Sequence, residues 1–214
     1  MKRSRQPAGS KGSQKWLRHL VDKRPDLLQP ADFARLTWKS PVLETGHAEF
    51  MDAAFLNAVG LCYLKSELSS FWPKSGPRWD GLAVAPGKVV LVEAKSHLAE
   101  FRSPGTAATG TSLERILAAM ATVKADLGIE PEADWTGRYY QYTNRIAHLW
   151  WLRRQQVDAH LFLVGFLNDP DMKAVRSAKE WVEAYSEADR VLSLPKIHRL
   201  SEFIHHIAPD LSVL

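Results

Sequence analysis

Apolar and polar positions follow two different periods along the chain, and the sharpest local pattern lies between Arg78 and His97. Two short apolar runs there flank Pro86-Gly87, which predicts two strands joined by a tight turn. Val89 to Val92 is an unbroken β-branched and leucine run, the pattern of a strand buried on both faces. Strand alternation then puts Glu93, Lys95 and His97 on one face and Ala94 and Ser96 on the other. Upstream, Trp16, Leu17, Leu20 and Val21 recur at helical spacing and predict a short helix over 14–23, stopped by Pro25. Thr45 as N-cap, with Phe50, Ala54, Ala58 and Leu61 along one face, predicts a helix over 45–59 that carries Glu49 and Asp52 on a different face. Tyr63 to Leu68 reads as a first strand.

Downstream of His97, the Gly-, Ala-, Ser- and Thr-rich stretch 99–110 predicts a surface loop. Thr111 and Glu114 have capping-box spacing and open a helix that Gly128 closes. A longer helix over 139–157 has Tyr142, Ile146, Leu149 and Trp150 on one face and Gln141, Asn144, Arg145 and His148 on another. His160 to Leu167 is a second fully apolar strand, 174–188 a helix, 190–194 a short edge strand and 200–207 a last helix. The sum is an α/β protein with a mixed central sheet flanked by helices.

Composition changes this picture at one end. Met1 to Arg24 holds eight Lys or Arg against one acid, Asp22, while the rest of the chain is net acidic. A basic, flexible tail over 1–24 followed by a single domain over 25–214 is expected, and such a tail suits phosphate contacts. The single cysteine, Cys62, excludes an intramolecular disulfide and a cysteine-based zinc cluster, and predicts a packing role in a reducing compartment. No apolar run has the length of a membrane span, so a cytoplasmic protein is expected. Of the eight tryptophans, Trp135, Trp150 and Trp151, with Tyr139, Tyr140 and Tyr142, are candidates either for core packing or for stacking on unpaired bases.

Charges are costly on a strand buried on both faces, so Asp80, Glu93 and Lys95 call for a reason. Two acids and a lysine converging at one strand end suggest a metal site. An acid on one strand, twelve intervening residues and a Glu-Ala-Lys ending the next strand resemble the PD-(D/E)XK nuclease superfamily, although Trp79 stands where the signature has proline. The resemblance spans the helix over 45–59, the strand pair, the helices that follow and the strand at His160, and it implies a restriction endonuclease-like αβββαβ core.

It also implies a Mg²⁺- or Mn²⁺-dependent nuclease acting on nucleic acid, with DNA the expected substrate. Asp80 and Glu93 would hold the metal, and Glu49, or failing it Glu44, would complete the acid set. Lys95, kept protonated between two acids, would orient water or offset transition-state charge rather than act as a base. His97, Tyr140, Gln141, Asn144 and Arg145 would touch substrate, and Arg145, Arg153 and Arg154 would join the tail in a positive groove. A homodimer or a subunit of a larger assembly is compatible with the same residues. The alternative is a non-catalytic nucleic-acid-binding or protein-interaction subunit of the same fold.

Overall fold

The computed structural model describes residues 11–214. Its first helix, α1 (Gly12–Lys23), buries Leu17, Leu20 and Val21, which share one helix face. These three pack on one face of the sheet with Ala83, Val90, Val92 and Phe162. Residues 12–23 therefore belong to the folded body, and a tail boundary at Arg24 does not hold for them. The flexibility expected of 1–10 lies outside the described residues.

After α1 come β1 (Thr37–Ser40), α2 (Asp52–Ala58), α3 (Lys65–Phe71), β2 (Gly81–Ala85), β3 (Lys88–Lys95) and the single turn α4 (Leu98–Phe101). The chain continues with α5 (Gly110–Leu127), α6 (Tyr140–Arg154), β4 (Ala159–Gly165), α7 (Ala178–Val191) and β5 (Ile204–Ile207). The strands form one sheet in the order β1-β2-β3-β4-β5. β1, β2 and β3 make an antiparallel meander, whereas β4 and β5 run parallel to β3 and to each other. Gly87 takes a φ of 73° in the tight turn between β2 and β3, a conformation natural to glycine.

Both sheet faces are covered, which is why Val89 to Val92 of β3 and Leu161 to Val164 of β4 are apolar at every position. Leu82, Val89, Leu91, Leu161 and Leu163 meet the helices α2, α3, α5, α6 and α7, and the alternate residues meet α1. Glu93 and Lys95 continue the series Val89, Leu91 and so face α6 rather than α1.

Several expectations are corrected. The helix over 45–59 is confined to Asp52–Ala58, because Gly46 and His47 take positive φ angles of 64° and 55° that no α-helix continues. The strand over 63–68 is helical (α3), and the first strand is β1 instead. α7 runs to Val191, so 190–194 is not a strand, and 200–207 is a short 3₁₀ turn leading into β5 rather than a helix. Cys62 is exposed and free, not a core residue. The loop over 99–110 begins with α4, whose Phe101 is buried against Tyr139, Tyr142 and Tyr185. Trp135, Trp150 and Trp151 are core side chains; Trp135 donates to the Leu192 carbonyl and Trp150 to Asp126.

Candidate active site

The residue before β2, the end of β3 and the first two turns of α6 converge at one end of the sheet. Asp80 sits where the chain enters β2, and one of its carboxylate oxygens accepts the Ala94 backbone N–H at 2.8 Å, tying it to the neighbouring strand. Glu93 and Lys95 are almost fully buried at the last positions of β3. The Lys95 ammonium donates to Glu93 Oε1 at 2.5 Å and to Gln141 Oε1 at 2.8 Å.

α6 supplies the opposite side. Gln141, Asn144 and Arg145 share a face at the three- and four-residue helical spacing, and that face points at the end of β3. Arg145, only 3% exposed, donates from Nε to Glu93 Oε2 at 2.6 Å, from one terminal nitrogen to Asn144 Oδ1 and from the other to the Arg78 carbonyl, both at 2.7 Å. Its guanidinium lies 4.8 Å from the centre of the Trp79 ring, which is fully buried. Trp79 thus serves as the floor under the arginine.

A cleft of about 430 Å³ opens over these residues, lined among others by Glu49, Arg78, Asp80, Tyr140, Gln141 and Asn144. A second opening of about 450 Å³, lined by Lys95, Glu100 and the start of α1, shares Gln14, Asp80 and Gln141 with the first. Glu49 comes from the extended segment before α2, not from a helix. Gln14 of α1 donates to its Oε1 at 2.7 Å, and Arg78 stands 3.9 Å from its Oε2.

Electrostatics divides the acids. Burial disfavours charge on Glu93, but Arg145 and Lys95 outweigh it and hold the carboxyl below its ordinary range. Burial and the charge of Glu93 push Asp80 well above the usual carboxylate range, against Lys95 and Arg145. Burial likewise raises Glu49, against Arg78 and Gln14. Lys95 resists its own desolvation because Glu93 and Asp80 face it, so its ammonium is held above the ordinary lysine value. Burial also raises the Tyr140 hydroxyl, which bonds Thr106 and Asn144.

The structure therefore brings Asp80, Glu93, Lys95, Glu49, Tyr140, Gln141, Asn144 and Arg145 to one place. Glu44 is exposed on the 3₁₀ turn Leu43–Thr45 and lines neither opening. His97 follows β3, lies 3.2 Å from Glu100 Oε1 and lines neither opening. Arg153 is directed to Asp158 and to the Phe203 ring, and Arg154 to Trp150, so neither joins Arg145 in a groove. Sequence reading missed Gln14 and the role of Arg145 as a clamp on Glu93. Gln14 was legible only as a polar position off the apolar face of α1, and the clamp joins residues 52 positions apart.

Among the described residues, no group of three or more His, Cys, Asp or Glu side chains closes into a metal cage. Asp80 lies near enough to Glu93 to feel its charge, and Glu49 lines the same cleft as Asp80. Carboxylate oxygens are the ligand type that Mg²⁺ takes, and a divalent cation beside them would favour the charged forms that burial disfavours in Asp80 and Glu49. The second oxygen of Asp80 makes no hydrogen bond among the described residues. Comparison of the chain with protein-family models, curated proteins and solved structures finds no match.

Proposed function

We propose that the chain is a metal-dependent nuclease with a restriction endonuclease-like core, hydrolysing phosphodiester bonds of DNA at Asp80, Glu93 and Lys95. The observation that carries the reading is the placement of these three residues together at one sheet end, with Glu93 and Lys95 buried, Asp80 lining both openings and Lys95 the second. With α2 and α3 set aside as an insertion between β1 and β2, and α4 and α5 as one between β3 and α6, the order α1-β1-β2-β3-α6-β4, a three-stranded meander followed by a strand parallel to β3, supports the αβββαβ reading. In it α1 and β1 take the parts that the sequence alone assigned to 45–59 and 63–68.

Mg²⁺ or Mn²⁺ would be held by Asp80 and Glu93, with Glu49 as the third acid, and when bound supplies a polarised phosphate and a more acidic water. The chain's own residues do the rest. Arg145 and Asn144 fix the Glu93 carboxylate, and Gln141 fixes Lys95. Lys95, protonated and partly reaching the second opening, offsets the charge that grows on the phosphate. A cytoplasmic setting suits the exposed thiol of Cys62.

The test is metal-dependent cleavage of DNA by the wild type against Glu93→Gln and Lys95→Ala. Each variant is expected to lose at least ~100-fold in rate, the scale of removing one transition-state donor. Retained cleavage in either overturns the mechanism.

A second reading has its own observation. Both Glu93 oxygens are engaged by cations of the chain, as in a structural ion-pair network, and no acid trio is assembled among the described residues. Under this reading the protein is a non-catalytic nucleic-acid-binding or protein-interaction subunit. Calorimetric titration with Mn²⁺ separates the two, because only the nuclease gives a binding heat that Asp80→Asn removes.

A further inference from the structure

A third pocket, of about 310 Å³, lies beside the cleft and has a different character. Its apolar floor is Leu68, Trp72 and Pro73, and three cations, Lys65, Lys74 and Arg115, stand around it, all exposed. The one acid in its lining, Asp52, is already committed: its two oxygens accept the backbone N–H groups of Ser75 and Gly76 at 3.1 and 2.9 Å. Arg115 spends one terminal nitrogen on the Ser69 carbonyl and keeps its other donors for solvent. The lining is therefore apolar beneath and cationic around, the chemistry that receives a flat aromatic ring carrying a phosphate.

The position of this pocket matters as much as its lining. The segment that Asp52 ties down, Ser75 and Gly76, is also a wall of the cleft that holds Asp80. Arg78 on the cleft side and Lys74 on the pocket side lie four residues apart on that same segment. Cations thus continue from the proposed scissile site across the wall into the pocket, a path that a polyanion can follow.

We propose that this pocket receives one nucleotide of the strand lying in the cleft, its base against Leu68, Trp72 and Pro73 and its phosphate on Lys65, Lys74 and Arg115. A base reaches such a floor only when it is unpaired, so the substrate class is single-stranded nucleic acid, or duplex with an unpaired end or flap at this point. The proposal rests on the reading that the cleft takes a nucleic-acid strand, but binding at the pocket does not depend on cleavage.

The test is fluorescence anisotropy of a labelled single-stranded oligonucleotide of about ten nucleotides, with the blunt duplex of the same sequence and a mononucleotide as competitors, all in EDTA. Lys65→Ala/Lys74→Ala is expected to weaken single-strand binding roughly tenfold and to lower the slope of log affinity against log salt by about 1.4, the effect of two lost phosphate contacts. Arg115→Gln should add to the loss, whereas Lys179→Ala on α7 should leave affinity unchanged. Unchanged affinity and slope in the double variant overturn the proposal, as does duplex bound as tightly as the single strand, or a mononucleotide that competes as well as the oligonucleotide. Cleavage is measured separately with Mn²⁺. A wild type that binds through Lys65 and Lys74 but does not cut sinks the nuclease reading and leaves the pocket. One that cuts with no dependence on these lysines in binding does the reverse.

Discussion

At the residue scale the site is decided by Arg145. A carboxylate buried like that of Glu93 is stable only if its partners replace the water it has lost, and one guanidinium and one ammonium do so here. Removing the guanidinium while leaving the acid should therefore cost far more than an exposed ion pair would. Arg145→Met is expected to lower stability by about 3–5 kcal/mol, because Glu93 keeps only Lys95 and the Arg78 carbonyl loses its donor. Glu93→Gln combined with Arg145→Met removes the stranded carboxylate but also takes the partner of the buried Lys95 ammonium, so only part of that loss should return. Urea unfolding of the single and double variants measures both; a single variant within ~1 kcal/mol of wild type would show that solvent already shares the stabilisation of Glu93.

At the scale of elements, local pattern was readable where the environment is uniform along a segment. β3 and β4 are covered on both sides, so Val89 to Val92 and Leu161 to Val164 are apolar at every position and announce themselves. β1 was not legible because Thr-Trp-Lys-Ser is four residues of mixed polarity on an edge strand with a register shift, and β5 because Ile-His-His-Ile suits a helix as well as a strand. α3 was misread because its lining is set by a neighbour far along the chain: Phe71 stacks on Trp151. The site shares this split. Glu93 and Lys95 were visible from strand alternation, Asp80 from its spacing to the Glu-Ala-Lys, and the polar face of α6 from its period. Glu49 lines the cleft from an extended segment and not from the helix expected of it, since left-handed Gly46 and His47 redirect the chain that carries it.

One contact between elements was hidden from any periodicity and can be tested. Gly165 ends β4, paired in register with Lys95, and the Trp181 ring of α7 packs so close that an added Cβ would lie 2.6 Å from it. That indole is buried and donates to the Phe166 carbonyl at 3.2 Å, so it has little room to yield. Gly165→Ala is expected to destabilise by about 1–3 kcal/mol through overpacking, which lowers Tm by roughly 2–4 °C per kcal/mol in a domain of this size. Trp181→Phe in the same background should return part of the loss by clearing the clash. A Gly165→Ala protein that melts with the wild type would mean that α7 moves away from β4 freely.

At the scale of the whole molecule, stability should carry a pH signature from the centre of the larger core. His148 is 1% exposed and ringed by Phe55, Phe71, Trp72 and Trp79. Nδ1 lies 2.8 Å from the Asn144 carbonyl, so the neutral ring donates there and Nε2 is left without a proton. Burial, with Arg145 nearby adding to it, brings the imidazole pKa from 6.5 down to about 3. A group whose pKa falls on folding leaves the unfolded chain holding more protons between the two values, so stability is full above pH 6.5 and is lost as pH drops toward 3. Between pH 6.5 and pH 5 the loss is about 2 kcal/mol from this residue alone, at 1.36 kcal/mol per unit. Asp80 and Asp189, both raised chiefly by burial, work in the opposite sense, which makes a single pH profile ambiguous. The comparison that isolates His148 is urea unfolding of wild type and His148→Phe at pH 7.5 and pH 5. Whatever the variant's absolute stability, its fall between the two pH values should be smaller than that of the wild type by about 2 kcal/mol. Equal falls would mean that the imidazole takes up its proton without unfolding the core, and that the segment around Gly76, which approaches Nε2, opens to let water in.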